Sequence, residues 1–160
     1  MKQTAQHLRE TIMAVLPLLG AISEVAATEK NSPEKWSKKE ILGHLIDSAS
    51  NNHHKFVRTM AEPQLNFVGY QQNHWVNAQH YQAAHWADLL VLWHALNLHL
   101  AHIIEHAAPE VLDNTISIEG VGPFKLEFIM RDYAEHLKHH LRQILPNANI
   151  ESAFVNVYGA

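Results

Sequence analysis

The feature that most constrains the fold is a set of four long segments in which apolar residues recur every three or four positions. On an α-helix this spacing places the apolar side chains along one face, and that face must be buried against another element. The pattern predicts helices over residues 4–25, 38–60, 84–106 and 124–145. Four amphipathic helices of this length are typical of an all-α protein folded as a four-helix bundle.

Local signals mark the ends of these predicted helices. Ser37 precedes Glu40 by three residues, which is the capping-box spacing at a helix start. Pro63 and Pro146 follow two of the predicted helix ends, where a proline prevents continuation. Pro17 lies inside the first segment and should bend or break that helix.

The segments between the helices carry weaker signals. Residues 63–82 predict a long ordered connection with a helical turn over 75–80, and long connections in compact domains often cover a site. Residues 115–119 alternate β-branched and polar side chains, which predicts a short extended element before the last helix. Two glycines then indicate a turn, and Pro123 suits the entry to a helix. The weakly alternating tail, residues 151–160, is compatible with a segment lying along the bundle.

Length and charge narrow the class of protein. The sequence has 160 residues without an internal repeat or a long linker, so we expect one domain over residues 1–160. A formal net charge of −4 argues against a nucleic-acid partner, because phosphate neutralisation needs a basic surface. A run of about 18 apolar residues is missing, so we expect no membrane span. The first residues lack the profile of a signal peptide, which favours the cytoplasm.

Histidine is the residue type that points to chemistry, since the sequence contains 14 histidines and no cysteine. His136 and His140 are four residues apart, so a helix places both imidazoles on one face, where they could bind one metal ion. His44 lies in the second turn of its predicted helix. It reaches the level of His140 if the two helices are antiparallel. On a helical wheel, however, His44 projects away from the apolar face, so an exposed or capping histidine is an equal alternative at this point.

Other polar residues give competing or supporting patterns. His99, His102 and His106 share one helix face and form a second metal candidate, although a polar margin of the bundle is the favoured interpretation. Asp47 and Glu135 are near the proposed ligands in sequence and could orient a ligand imidazole.

Two stretches resemble a known family. The segment WSKKEILGHLIDSASNNHHKFVR resembles the second helix of the DinB superfamily, and especially its YfiT-like bacillithiol-transferase branch. There a tryptophan opens the helix and a Gly-His-Leu-x-Asp core carries a metal-binding histidine. The segment EGVGPFKLEFIMRDYAEHLKHHLRQI resembles the final helix of that family, with its His-x-x-x-His pair. Together the two matches cover about 50 residues.

The resemblance implies a fold, a metal and two reactions. The fold is a four-helix bundle described as up-down-down-up, and family members are frequently homodimeric. The implied ligands of a zinc or nickel ion are His44, His136 and His140. The implied activity is transfer of a low-molecular-weight thiol to an electrophile, or metal-dependent hydrolysis of a small molecule, at a coordination position left open for thiol or water. The alternative is a non-enzymatic dimeric bundle that binds a metal or a small ligand. Because protons compete for imidazole nitrogens, acid should release the ion near the ordinary histidine pKa of about 6.5.

Overall fold

A computed structural model describes residues 1–158 of the chain. Most of the described residues are helical. The four long helices are α1 (Lys2–Gly20), α3 (Lys38–Ala61), α5 (Trp86–His106) and α6 (Leu126–Ile144), and the two short helices are α2 (Glu24–Thr28) and α4 (Gln72–Ala78).

The four long helices form a bundle in which each packs against two others. α5 contacts α1 and α3, while α6 contacts α3 and α1, so the order around the bundle is α1, α5, α3, α6. Their apolar faces meet in one core that includes fully buried Leu8, Leu45, Trp93 and Leu137. The expected bundle is therefore present, and its helices arise where the sequence shows the helical period.

A small sheet lies beside the bundle. It includes the extended element predicted at residues 115–119, whereas its other two strands were not predicted. Its strands are β1 (Gln64–Phe67), β2 (Thr115–Ile118) and β3 (Val121–Lys125), in that order. β1 pairs with β2 in parallel, and β2 pairs with β3 as an antiparallel hairpin. β1 follows α3 directly and β3 leads directly into α6, so the sheet lies at the end of the bundle where α3 ends and α6 begins.

The predicted helix over residues 4–25 is wrong at its carboxyl end. α1 passes through Pro17 and ends at Gly20, and α2 begins separately after Ser23, whose side chain accepts a hydrogen bond from the amide of Ala26. The apolar period carried the prediction too far, because Ile22 keeps the spacing of the stripe although the chain has already turned.

The connection between α3 and α5 and the entry to α6 contain more structure than predicted. The connection holds β1, α4 and a 3₁₀ turn at Tyr81–Ala83, where the sequence indicated only a helical turn over 75–80. Pro123 lies within β3 and does not open α6, which begins at Leu126. A proline fits there because β3 is an edge strand, where one ladder hydrogen bond fewer is tolerated.

α5 is long and apolar enough to cross a membrane by length and composition alone. The same test is passed by core helices of soluble proteins, and α5 packs against both α1 and α3 here.

Candidate metal centre

The structure brings His44, His136 and His140 together. His44 lies near the start of α3, and the other two lie in the second half of α6. The rings of His44 and His140 have centroids 4.6 Å apart. Later in α3, the ring of Phe56 contacts that of Tyr133, which lies earlier in α6 than His140. The two helices are therefore antiparallel, as the ligand prediction required.

The ring nitrogens of these histidines converge on one point. One nitrogen from each ring lies within 4.8 Å of the others. Among the described residues, no other group of three or more His, Asp or Glu side chains brings its ligand atoms this close together. The Nε2 atoms of His136 and His140 are 3.1 Å apart. Two nitrogens bound to one tetrahedral zinc ion are separated by about 3.3 Å, so this spacing fits a shared ion.

One ring of the cluster is buried, two are half-buried, and all three are neutral. The His44 side chain is only 3% exposed, and the ring of Trp36 packs 5.1 Å from it. Burial lowers the pKa of His44 to about 3 and that of His140 to about 4, and it lowers the pKa of His136 well below its usual value. Neutral imidazoles offer the lone pairs that a metal needs, and protons compete for them at lower pH than the sequence alone predicted.

The outer nitrogens of two of the rings have polar partners, and the Nε2 atoms of His136 and His140 contact each other. Nδ1 of His140 lies 3.4 Å from the amide oxygen of Gln143, and Nδ1 of His136 lies 3.4 Å from the hydroxyl of Ser48. Such outer contacts favour a proton on Nδ1 and a lone pair on Nε2. Both ring nitrogens of buried His44 lack a hydrogen-bond partner within the described part of the chain. A buried polar atom without a hydrogen-bond partner lowers the stability of the fold. A metal ion bound to one nitrogen of His44 would give that atom a partner.

The two predicted supporting carboxylates are directed elsewhere. Asp47 accepts hydrogen bonds from the Gln79 amide and the Tyr81 hydroxyl, at 2.6 and 2.7 Å, which ties α3 to the following connection. Glu135 pairs with Lys138 and accepts a hydrogen bond from the backbone of Ala153. Ser48 and Gln143 were not predicted as imidazole partners, although each lies three or four residues from a ligand on the same helix.

The competing histidine group on α5 is spread over the surface. His99, His102 and His106 are exposed, and their rings form a row with centroid separations of 6.4 and 4.2 Å. His53 on α3 is half-buried beside His99. The row matches the polar margin that the sequence favoured.

Sequence comparison identifies the family to which the chain belongs. A model of the DinB superfamily matches residues 7–144, which is most of the chain. The chain belongs to the DinB superfamily. The resemblance of the two histidine-bearing segments is thereby confirmed at the level of the family.

Two relatives illustrate this membership of the DinB superfamily. A protein of Bacillus mycoides (strain KBAB4) named "putative metal-dependent hydrolase" is 23% identical over 131 residues, covering 79% of this chain and 75% of that protein. The solved structure of YfiT from Bacillus subtilis superposes with a TM-score of 0.80 at 18% identity, covering 90% of this chain and 83% of YfiT. YfiT is described as a probable metal-dependent hydrolase with an unusual four-helix bundle topology. At this identity the likeness to YfiT shows the fold.

The histidine cluster of this DinB-superfamily chain opens into a cavity of about 600 Å³. α3 and α6 line one side of it, and the loop after β1 and the β2–β3 turn line another. The carboxyl-terminal tail forms a further wall, where Phe154 packs its ring 5.0 Å from that of His136 and Tyr158 donates a hydrogen bond to Asp132. The tail therefore lies along α6 as far as residue 158. Residues 159 and 160, also in the predicted tail, lie outside the described residues.

Proposed function

We propose that this protein is a divalent-metal-dependent enzyme that acts on a small molecule in the cavity beside its three histidines. The observation that carries the proposal is the convergence of three neutral imidazoles, one buried and two half-buried, in the lining of a cavity of about 600 Å³. Cavities of this size accommodate small organic molecules.

The donor set supports an ion with an open coordination position. Three imidazoles are the protein ligands of a catalytic zinc site, whereas structural zinc sites are closed by a fourth protein ligand. Imidazole also suits nickel, so we propose zinc or nickel as the ion. When bound, such an ion lowers the pKa of a water or a thiol at the open position, which supplies a nucleophile at neutral pH.

Two reactions are compatible with this nucleophile. Activated water gives hydrolysis, which the descriptions of both relatives as metal-dependent hydrolases favour. An activated thiol gives transfer of a low-molecular-weight thiol to an electrophile, and the resemblance to the bacillithiol-transferase branch favours this reaction. The protein has no cysteine, so in either case the nucleophile comes from outside the chain.

The experiment that tests the proposal begins with protein purified without a nickel column. Elemental analysis should find about one zinc or nickel ion per chain, because the described residues hold one such cluster. The protein is then assayed against a panel of esters and amides, and against thiols paired with an electrophile. We expect turnover in one of the two panels that is absent in His44→Ala.

The non-enzymatic alternative makes a different prediction. A bundle that only binds metal would retain the ion but show no turnover in either panel, and added thiols would not change the spectrum of a cobalt-substituted sample. That combination of results would reject an enzyme with an open coordination position.

A further inference from the structure

The cavity carries a second polar feature at the end away from the histidines. Lys55 on α3 and Asp132 on α6 both line the cavity. Among the described residues that line it, Lys55 is the only lysine, and there is no arginine. Lys55 makes no ion pair within 4.0 Å in the described part of the chain, and its ammonium lies 5.4 Å from the centre of the Phe67 ring. The carboxylate of Asp132 accepts its hydrogen bond from Tyr158.

The position of Lys55 relative to the histidines follows from helix geometry. His44, Ser48, Asn52 and Lys55 all line the cavity and are spaced by four, four and three residues, so they form one polar stripe along α3. Eleven residues separate the Cα atoms of His44 and Lys55 by about 16 Å along the helix axis. Both side chains lean toward the amino terminus and the lysine is the longer of the two, so the ammonium is on the order of 10 Å from the histidine cluster.

We propose that Lys55 anchors a carboxylate of the substrate while the reacting group of the same molecule lies at the three-histidine cluster. This inference rests on the proposed function and adds a substrate class, namely a small molecule with a carboxylate on the order of 10 Å from its reacting group. Charge-assisted hydrogen bonds of this type are stronger than neutral ones, and they gain strength in a partly buried site.

The charges around Lys55 favour a carboxylate over a phosphate. The carboxylates of Asp132 and Glu119 line the cavity beside Lys55, so each negative charge on a ligand meets repulsion as well as the one ammonium. A carboxylate brings one such charge and a phosphate dianion brings two, so the carboxylate is repelled less. Phe154, Tyr133 and Ile118 also line the cavity and provide apolar surface for the carbons that join the two groups of the substrate.

The test uses two probes of equal chain length, 6-mercaptohexanoate and 6-mercaptohexanol, with zinc-loaded protein at pH 7 in a calorimeter. The wild type should bind the acid about tenfold more tightly than the alcohol, or better. Lys55→Met should bind both probes alike while keeping its metal content and circular dichroism. Lys55→Arg should retain the preference. Lys2→Met, which removes an exposed lysine of α1, is the matched control and should behave as the wild type.

Equal binding of acid and alcohol by the wild type would overturn the inference, as would a preference that persists in Lys55→Met. Tighter binding of 6-mercaptohexyl phosphate than of the acid would overturn the carboxylate assignment. If neither thiol binds, the proposed open metal position has failed, and hexanoate is then compared with hexanol on metal-free protein. A preference for hexanoate that Lys55→Met abolishes would still support the anchoring role, and equal binding would reject it.

Discussion

Three imidazoles on two helices are the smallest unit on which the proposed chemistry depends. His44 comes from α3 and the other two histidines from α6, so the cluster exists only while these helices stay packed. Two imidazoles from one helix cannot fix the geometry of an ion by themselves.

Loss of any ligand should therefore strip the ion. We expect His44→Ala, His136→Ala and His140→Ala each to weaken metal binding by more than about 100-fold, since even outer partners of a ligand are worth about 10–100-fold. His139→Ala and His99→Ala are the controls and should keep the metal. The measurement is metal per chain by elemental analysis after dialysis. An empty His99→Ala beside a full His44→Ala would place the site on α5.

The stability of the metal-free protein should depend on pH through the same rings. The pKa of His44 is about 3 and that of His140 about 4 in the folded protein, whereas an exposed histidine has a pKa of about 6.5. The unfolded chain therefore binds more protons between these values, and the free energy of unfolding should fall as the pH drops below about 6.5. Each such ring contributes up to about 1.4 kcal/mol per pH unit in this window, and nothing above it.

Urea denaturation of the metal-free protein at pH 8, 7, 6 and 5 measures this effect. His44→Asn should give a shallower dependence than the wild type, while His7→Gln, a change at an exposed position, should leave the slope unchanged. Burial raises the pKa of Asp47 and of Asp132, but both groups are present in all three proteins. Parallel curves for wild type and His44→Asn would show that His44 is not buried in its neutral form.

Among the elements, α3 depends on a close approach by the connection that follows it. A Cβ atom on Gly43 would lie 2.2 Å from the ring of Tyr81, whose hydroxyl donates a hydrogen bond to buried Asp47. Gly43→Ala should therefore displace Tyr81 and lower the free energy of unfolding by more than about 2 kcal/mol. Gly20→Ala is the matched control, because a Cβ there meets no atom within 4 Å. Equal stability of the two variants by chemical denaturation would contradict this packing.

The carboxyl-terminal tail is the element that closes the cavity over α6. Ser152 donates a hydrogen bond to the carbonyl of Glu135, and Phe154 packs against His136 and His139. Deletion from Ser152 onward should speed extraction of the metal by a chelator several-fold and leave the helix content unchanged. Phe154→Ala should reproduce part of the effect.

Val155→Ala is the control for the tail, since the Val155 side chain is 67% exposed. The measurement is the rate of metal transfer to a coloured chelator, with circular dichroism of each variant. Equal rates for wild type and the truncated chain would mean that the tail does not limit access to the histidines.

At the scale of the whole molecule, the prediction concerns the oligomeric state. Apolar side chains remain on the outer faces of α1 and α5, including Val91 at 71% exposure. Exposed apolar side chains on helix faces are often buried against a second copy, so we expect a homodimer of twice 18.2 kDa. Light scattering at high micromolar concentration measures the mass. Val91→Glu should weaken the dimer, whereas Val68→Glu, at an 82% exposed position outside these helices, should not. A monomer mass for the wild type would reject the prediction.

The sequence by itself determined the elements whose signals are local. The long helices follow from the apolar period, and the start of α3 follows from Ser37 and Glu40, which form the predicted capping box. The pair His136 and His140 could be recognised from its spacing on one helix face. His44 could not, because its wheel position argued against burial, and only the family resemblance selected it.

Tertiary structure decided what depends on residues far apart in the chain. The parallel pairing of β1 with β2 joins residues about 50 positions apart, and four-residue strands carry too little pattern to reveal it. Asp47 turned toward Tyr81 and not toward an imidazole, because the packing of the connection placed a hydroxyl beside it. Lys55 shares a cavity with the histidines because α3 and α6 are antiparallel and leave a space between the sheet and the tail. Periodicity reports which face of a helix is buried, but the partner of that face, and any cavity beside it, are fixed only when the helices pack.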